Sequence, residues 1–186
     1  MIKAIIFDNF GVLVDPVYGS LTQGLSSESI AAILKANELA DLGEITAEAR
    51  DEMIAPVVPG GKTSIVSAHK RARRNQELLD LILELRTKYK TAVLSNAGPG
   101  LFEEFFSEQD MRNYFDDVIL SYKAHLIKPN PEIYLLAAKK LGVELSECVF
   151  VDDSAQNVLA AQNLGMEAIV YRDFLQFYQE LSAILK

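Results

Sequence analysis

A chain of 186 residues, 49% hydrophobic and 24% charged, has enough apolar material for one compact core or for one domain carrying a modest insertion. Its net charge of −8 and pI near 4.8 argue against a nucleic-acid partner, which is held by excess Lys and Arg, and against anionic membrane surfaces. No apolar run reaches the length of a bilayer, Asp8 interrupts the first one so that no signal peptide is expected, and the single Cys148 reads as a reduced core residue. A cytoplasmic protein is the expectation.

Ala4 to Phe7 is a short, β-branched apolar run that predicts a buried strand. It stops on Asp8, with Gly11 three residues later. An acid at the end of a core strand is costly to bury unless a positive group sits beside it. The crevice beyond the carboxyl ends of parallel strands is also where ligands bind. Taken alone, Asp8 could equally cap or solvate a turn.

After Asp15-Pro16 the strand pattern disappears, and Pro16 to Arg74 reads as an inserted stretch. Ser26 or Ser27 caps a helix with Ile30, Ile33 and Leu34 on one face, broken by Gly43; Thr46 caps a second that runs towards Met53 and Ile54. Val57 to Ser64, V-V-P-G-G-K-T-S, predicts a loop. Gly61-Lys62-Thr63 does not make a nucleotide-binding loop, because Pro56 stands where the first glycine is needed and no strand precedes it. The basic run His69, Lys70, Arg71, Arg73 and Arg74 reads as a solvated face, or else as the source of a cation overhanging an active site.

From Asn75 onward helices and strands alternate. A helix through Leu78, Leu79, Ile82 and Leu85 precedes a strand at Thr91 to Ser95 and a helix containing Leu101, Phe102, Phe105 and Phe106. A strand at Val118 to Leu120 leads to a helix from Pro131 to Leu141, stopped by Gly142. Cys148 to Asp152 is the next strand, followed by a helix ending at Gly165, a strand at Ala168 to Tyr171 and a terminal helix with Phe174, Phe177, Leu181 and Ile184 on one side. This grammar predicts an α/β fold, a parallel sheet with helices on both faces.

Three strands end alike: on Asp8, on Ser95-Asn96 and on Asp152-Asp153. In a parallel sheet those ends point the same way, so the polar groups can share one crevice. Lys128, just before the helix start in K-P-N-P, can bring a cation there. Each piece has a plainer reading: Ser95-Asn96 as a loop start, the paired acids as caps, Lys128 as a surface lysine. Ser154 is already available to cap the next helix, so two acids exceed what capping needs. Together, three carboxylates, a hydroxyl and an ammonium describe a phosphoryl-transfer site. The carboxylates suit Mg²⁺, a carboxylate can attack phosphorus, and the hydroxyl and lysine can hold phosphoryl oxygens.

The sequence resembles the haloacid dehalogenase superfamily of hydrolases. F-D-N-F-G-V-L-V is similar to its first motif, V-L-S-N-A-G to its second, K-P-N-P-E-I-Y to its third and F-V-D-D-S-A-Q-N-V to its fourth. The resemblance implies a Rossmann-like core at 1–15 and 75–186 with a small helical cap at 16–74. It implies Asp8 as nucleophile, Ser95, Asn96 and Lys128 at the substrate's phosphate, and Mg²⁺ held by Asp8, the backbone carbonyl of Phe10 and Asp153. Asp152 and Asn157 would be supporting residues. D-L-G-E-I-T, Asp41 to Thr46, is similar to a cap segment of the phosphatase-like branch.

Phe10 departs from the pattern, because typical phosphatases of this family carry a second aspartate there as general acid and base. Such help is worth about 10²–10⁴-fold in rate. Slow turnover of alkyl phosphates is therefore expected unless Asp15 or a residue of the inserted stretch supplies the acid. Two other readings stand beside the phosphatase. A 2-haloacid dehalogenase also has an aromatic residue at that position, but it needs no metal and usually lacks paired acids like Asp152-Asp153. A degenerate, non-catalytic binder is the third.

Overall fold

The computed structural model describes residues 1–17 and 21–186; residues 18–20 of the inserted stretch lie outside them. Ala4–Phe7 (β1) is a strand with no exposed residue. Its side chains alternate between two apolar layers, Ile5 and Phe7 to one, Ala4 and Ile6 to the other. That is the period of two expected of a central strand covered on both faces.

The inserted stretch follows as three helices: Ser27–Asp41 (α1), Ala47–Ile54 (α2) and Gly61–Arg71 (α3). The Ser26 and Thr46 hydroxyls cap the first two by accepting from the backbone N–H of Ser29 and Ala49. The sequence pattern predicts a loop through Ser64, whereas α3 begins at Gly61. Gly60 takes φ +80° at the cap position, so the second glycine and Lys62-Thr63-Ser64 form the first helical turn. Val17, Ile33, Ala36, Ile54 and Ile65 bury one another in an apolar cluster of this stretch's own.

The chain then continues as Gln76–Leu85 (α4), Lys90–Ser95 (β2), Glu108–Tyr114 (α5), Asp117–Leu120 (β3), the single turn Ser121–Ala124 (α6) and Pro131–Leu141 (α7). A 3-10 turn at Leu145–Glu147 precedes Cys148–Asp152 (β4), Ala155–Asn163 (α8), Glu167–Val170 (β5) and Phe174–Ile184 (α9). The strands form one parallel sheet in the order β3-β2-β1-β4-β5. Leu78, Ile82, Phe177 and Leu181 cover one face; Ile133, Tyr134, Ala137 and Ala161 cover the other.

One predicted helix is absent. Leu101, Phe102 and Phe105 lie in consecutive turns with Phe106 just after them, and the helix starts later, at a capping box where Ser107 accepts from the Asp110 N–H and Asp110 accepts from the Ser107 N–H. The aromatic spacing is helical, but its buried members serve the core: the Phe102 and Phe106 rings stack at 4.8 Å between centroids. Register brings the carboxyl ends into line, since Phe7 pairs with Val93 on one side and Val151 on the other. Asp8, Ser95 and Asp152 therefore emerge on one edge of the sheet.

Candidate active site

The loop after β1 is wound tightly around Asn9, whose carbonyl accepts from the backbone N–H groups of Val12, Leu13 and Val14. The Asn9 N–H donates to Asp8 Oδ1 at 2.7 Å, which aims that carboxylate off the strand end. Gly11 sits at φ +87°, and a Cβ there would fall 2.2 Å from Asp153 Oδ2. Only glycine leaves room for Asp153 to approach this turn.

Lys128 is 4% exposed and stands between two acids, its Nζ 2.7 Å from Asp8 Oδ1 and 2.7 Å from Asp152 Oδ2. Burial alone would lower its pKa, but the charges of Asp8 and Asp152 raise it above the ordinary lysine value. Asp8 is pushed upward by burial first and by the neighbouring Asp152, against the pull of Lys128. Asn96 grips the Lys128 backbone at both ends of its amide: Nδ2 donates to the Lys128 carbonyl at 3.0 Å, and Oδ1 accepts from its N–H at 2.8 Å. Asp152 is fully buried and saturated, accepting from Lys128, from the Ser154 N–H and from Asn157 Nδ2.

Asp8, Asp152 and Asp153 each offer a carboxylate oxygen, and these atoms all lie within 4.8 Å of one another. Since Asp152 is committed to its donors, Asp8 and Asp153 are the acids left for a cation. An all-oxygen set beside a glycine cradle fits a hard divalent ion such as Mg²⁺. At the end of β2 the Ser95 hydroxyl is buried and has no hydrogen-bond partner among the described residues. Buried polar atoms are seldom left so, and this one awaits a ligand atom.

Beside these groups is a cavity of about 250 Å³, lined by Phe10, Asn96 and Asp153 from one side and by Asn37, Asp41 and Arg50 of α1 and α2 from the other. Arg50 is 2% exposed and its Nη2 lies 2.7 Å from Asp51. Burial raises the pKa of Asp41 to about 7, although Arg50 and, more weakly, Lys128 oppose it. The carboxyl end of α1 is held against the sheet's loops: His125 Nδ1 lies 2.8 Å from the Leu42 carbonyl, and a Cβ on Gly98 would sit 3.1 Å from that of Ala40. This contact accounts for His125, whose φ of 54° places it at the end of α6.

The structure thus joins Asp8, Lys128, Asp152, Asn96 and Asn157 through direct contacts, sets Asp153 within reach of Asp8, and puts Phe10 on the wall of the same cavity. The basic run does not reach it. His69 pairs with Glu104 at 2.7 Å, and Arg74 pairs with Asp110 and lies over the Phe106 ring. Arg50 is the cation of the inserted stretch on the cavity wall, and sequence reasoning missed it along with Asn37. Asp41 lay in view inside D-L-G-E-I-T, but only the fold brings it to the cavity.

Residues 2–165 match the family model of the haloacid dehalogenase-like hydrolases. Over 113 residues the chain is 37% identical to the D-ribitol-5-phosphate phosphatase of Bacteroides thetaiotaomicron, an alignment covering 58% of this chain and 55% of that protein. Over 95 residues it is 28% identical to the fructose-1-phosphate phosphatase YqaB of Escherichia coli, covering 51% and 50% respectively. The chain thus spans about half the length of these two relatives. A HAD family enzyme of Bacteroides thetaiotaomicron, solved with magnesium and inorganic phosphate, superposes with a TM-score of 0.69 at 24% identity, over 96% of this chain and 100% of that one.

Proposed function

The chain belongs to the haloacid dehalogenase-like hydrolases, and we propose that it is a Mg²⁺-dependent phosphatase that cleaves a small phosphorylated metabolite through an aspartyl-phosphate on Asp8. The observation that carries this reading is the Lys128 ammonium, buried 2.7 Å from both Asp8 and Asp152, with Asp153 beside them. A hydrolase that takes a carboxylate substrate would be hindered by so much negative charge. A metal-assisted phosphatase needs it. The named substrates of the two matched phosphatases favour a sugar or polyol phosphate for this chain too.

Asp8, the Phe10 backbone carbonyl and Asp153 would hold the Mg²⁺, which when bound neutralises phosphoryl charge. Asp8 presents a carboxylate oxygen to phosphorus. The Ser95 hydroxyl donates to a phosphoryl oxygen, satisfying the hydrogen bond it lacks within the described residues. Lys128 offsets charge at the nucleophile and the transferring group, and Asn96 places it there by holding its backbone. Asp152, steadied by Asn157, keeps the ammonium from turning away. Residues 16–74 act as a helical cap over a core of 1–15 and 75–186.

The test is inorganic phosphate release from a panel of sugar and polyol phosphates, with and without Mg²⁺, beside Asp8→Asn. Mg²⁺-dependent release lost in the variant is the expected outcome. Chloride release from a 2-haloacid without metal would replace this reading with a dehalogenase. Release of neither would leave a binding protein.

A further inference from the structure

We propose that Asp41, carried on the last residue of α1, is the general acid and base of this enzyme, taking over from the aspartate that Phe10 displaces. The inference rests on the phosphatase reading and names a residue that reading leaves open. Position 10 cannot do the work itself: the Phe10 ring packs edge-on against Phe105 at 5.8 Å and carries no proton. Asp15, the next acid along the chain, is exposed, accepts from the Arg73 N–H at 3.0 Å and lines a different recess with Ala68 and Arg71.

Two carboxylates line the cavity beside the nucleophile, Asp153 and Asp41. Asp153 stands against Gly11 with Asp8 within reach, where a cation would claim it. Asp41 is the one left to handle a proton. It faces Arg50 from α2, Lys128 from the loop before α7 and Asp153 from the loop after β4. Its position is fixed in advance, because the His125–Leu42 hydrogen bond and the close approach of Ala40 to Gly98 dock the end of α1 on the sheet's loops. A catalytic group on a docked helix is held better than one on a free loop. Burial brings its pKa to about 7, near where proton donation and acceptance are both practicable.

The step balances as follows. An Asp8 carboxylate oxygen attacks phosphorus, the bond from phosphorus to the leaving oxygen breaks, and that oxygen takes the Asp41 proton to leave as an alcohol. The Asp41 carboxylate then takes a proton from water, whose oxygen attacks phosphorus. The bond to Asp8 breaks, releasing inorganic phosphate and restoring both acids.

The experiment compares Mg²⁺-dependent kcat on glycerol 2-phosphate, a poor leaving group, with that on p-nitrophenyl phosphate, a good one. Asp41→Asn is expected to lose about 10²–10⁴-fold on the first and less than about tenfold on the second. Asp15→Asn keeps both rates. An Asp41→Asn variant that loses both esters equally, or neither, overturns the proposal while leaving the phosphatase reading intact. If Asp41→Asn unfolds, Asp41→Glu keeps the carboxyl and answers instead: a retained preference for the good leaving group no larger than wild type supports the acid, and a preference as large as that of an enzyme without one overturns it. A wild type that releases no phosphate from either ester overturns both readings together.

Discussion

The two ends of the parallel sheet differ in a way that size alone would misjudge. The larger recess, about 910 Å³, opens at the amino ends of the strands, bounded by Lys3, Arg86, Lys90 and the chain's final residues. Its charges are exposed or half-buried: Lys3 pairs with Glu147, Arg86 with Asp116, and Lys90 donates to the Leu141 carbonyl. At the carboxyl ends the cavity is only about 250 Å³, yet Lys128, Asp8 and Asp152 next to it are buried together. Removing charge from water is expensive, and a chain keeps such a cluster where the charges have work to do. Desolvated charge, and not open volume, singles out the candidate site.

That contrast can be broken by substitution at each end. Lys128→Met should have the largest effect: about 3–5 kcal/mol of stability lost, because two buried carboxylates are left facing each other, and phosphate release falling about 10²-fold or more. Denaturant melts and initial rates on one preparation would show it. Arg86→Ala, at the other end, removes hydrogen bonds to the carbonyls of Arg112 and Asn113 and to Asp116. It should cost about 1–3 kcal/mol with kcat unchanged. Lys3→Ala breaks an exposed pair and should change stability by less than about 1 kcal/mol. Loss of activity in either of the last two would dissolve the distinction between the ends.

Much of the site was legible because it depends on local sequence and one global fact. Strands ending on Asp8, Ser95 and Asp152 read clearly, and a parallel sheet must bring their ends to one edge. The caps at Thr46 and Ser154 were equally plain, and Ser26 was one of two candidates for the first, since an oxygen side chain before a helix satisfies a local backbone donor. What stayed hidden depends on long-range docking. Nothing in α2 marks Arg50 as buried, because its burial follows from how the inserted helices pack on one another and close on the cavity. His125 likewise carries no sequence signal for its contact with the Leu42 carbonyl, 83 residues away. The missed turns at 101–105 had a local signal, Ser107 and Asp110 at capping-box spacing, outweighed by aromatic residues whose helical spacing served core packing instead.

The proposed reaction passes through a covalent bond from Asp8 to phosphorus. Acid-quenching the protein during turnover of p-nitrophenyl phosphate with Mg²⁺, followed by peptide mass spectrometry, tests it most directly. A phosphoryl group is expected on the peptide bearing Asp8, absent when Mg²⁺ is chelated and absent in Asp8→Asn. Sustained hydrolysis by Asp8→Asn, or a phosphoryl group trapped on any other residue, would contradict it.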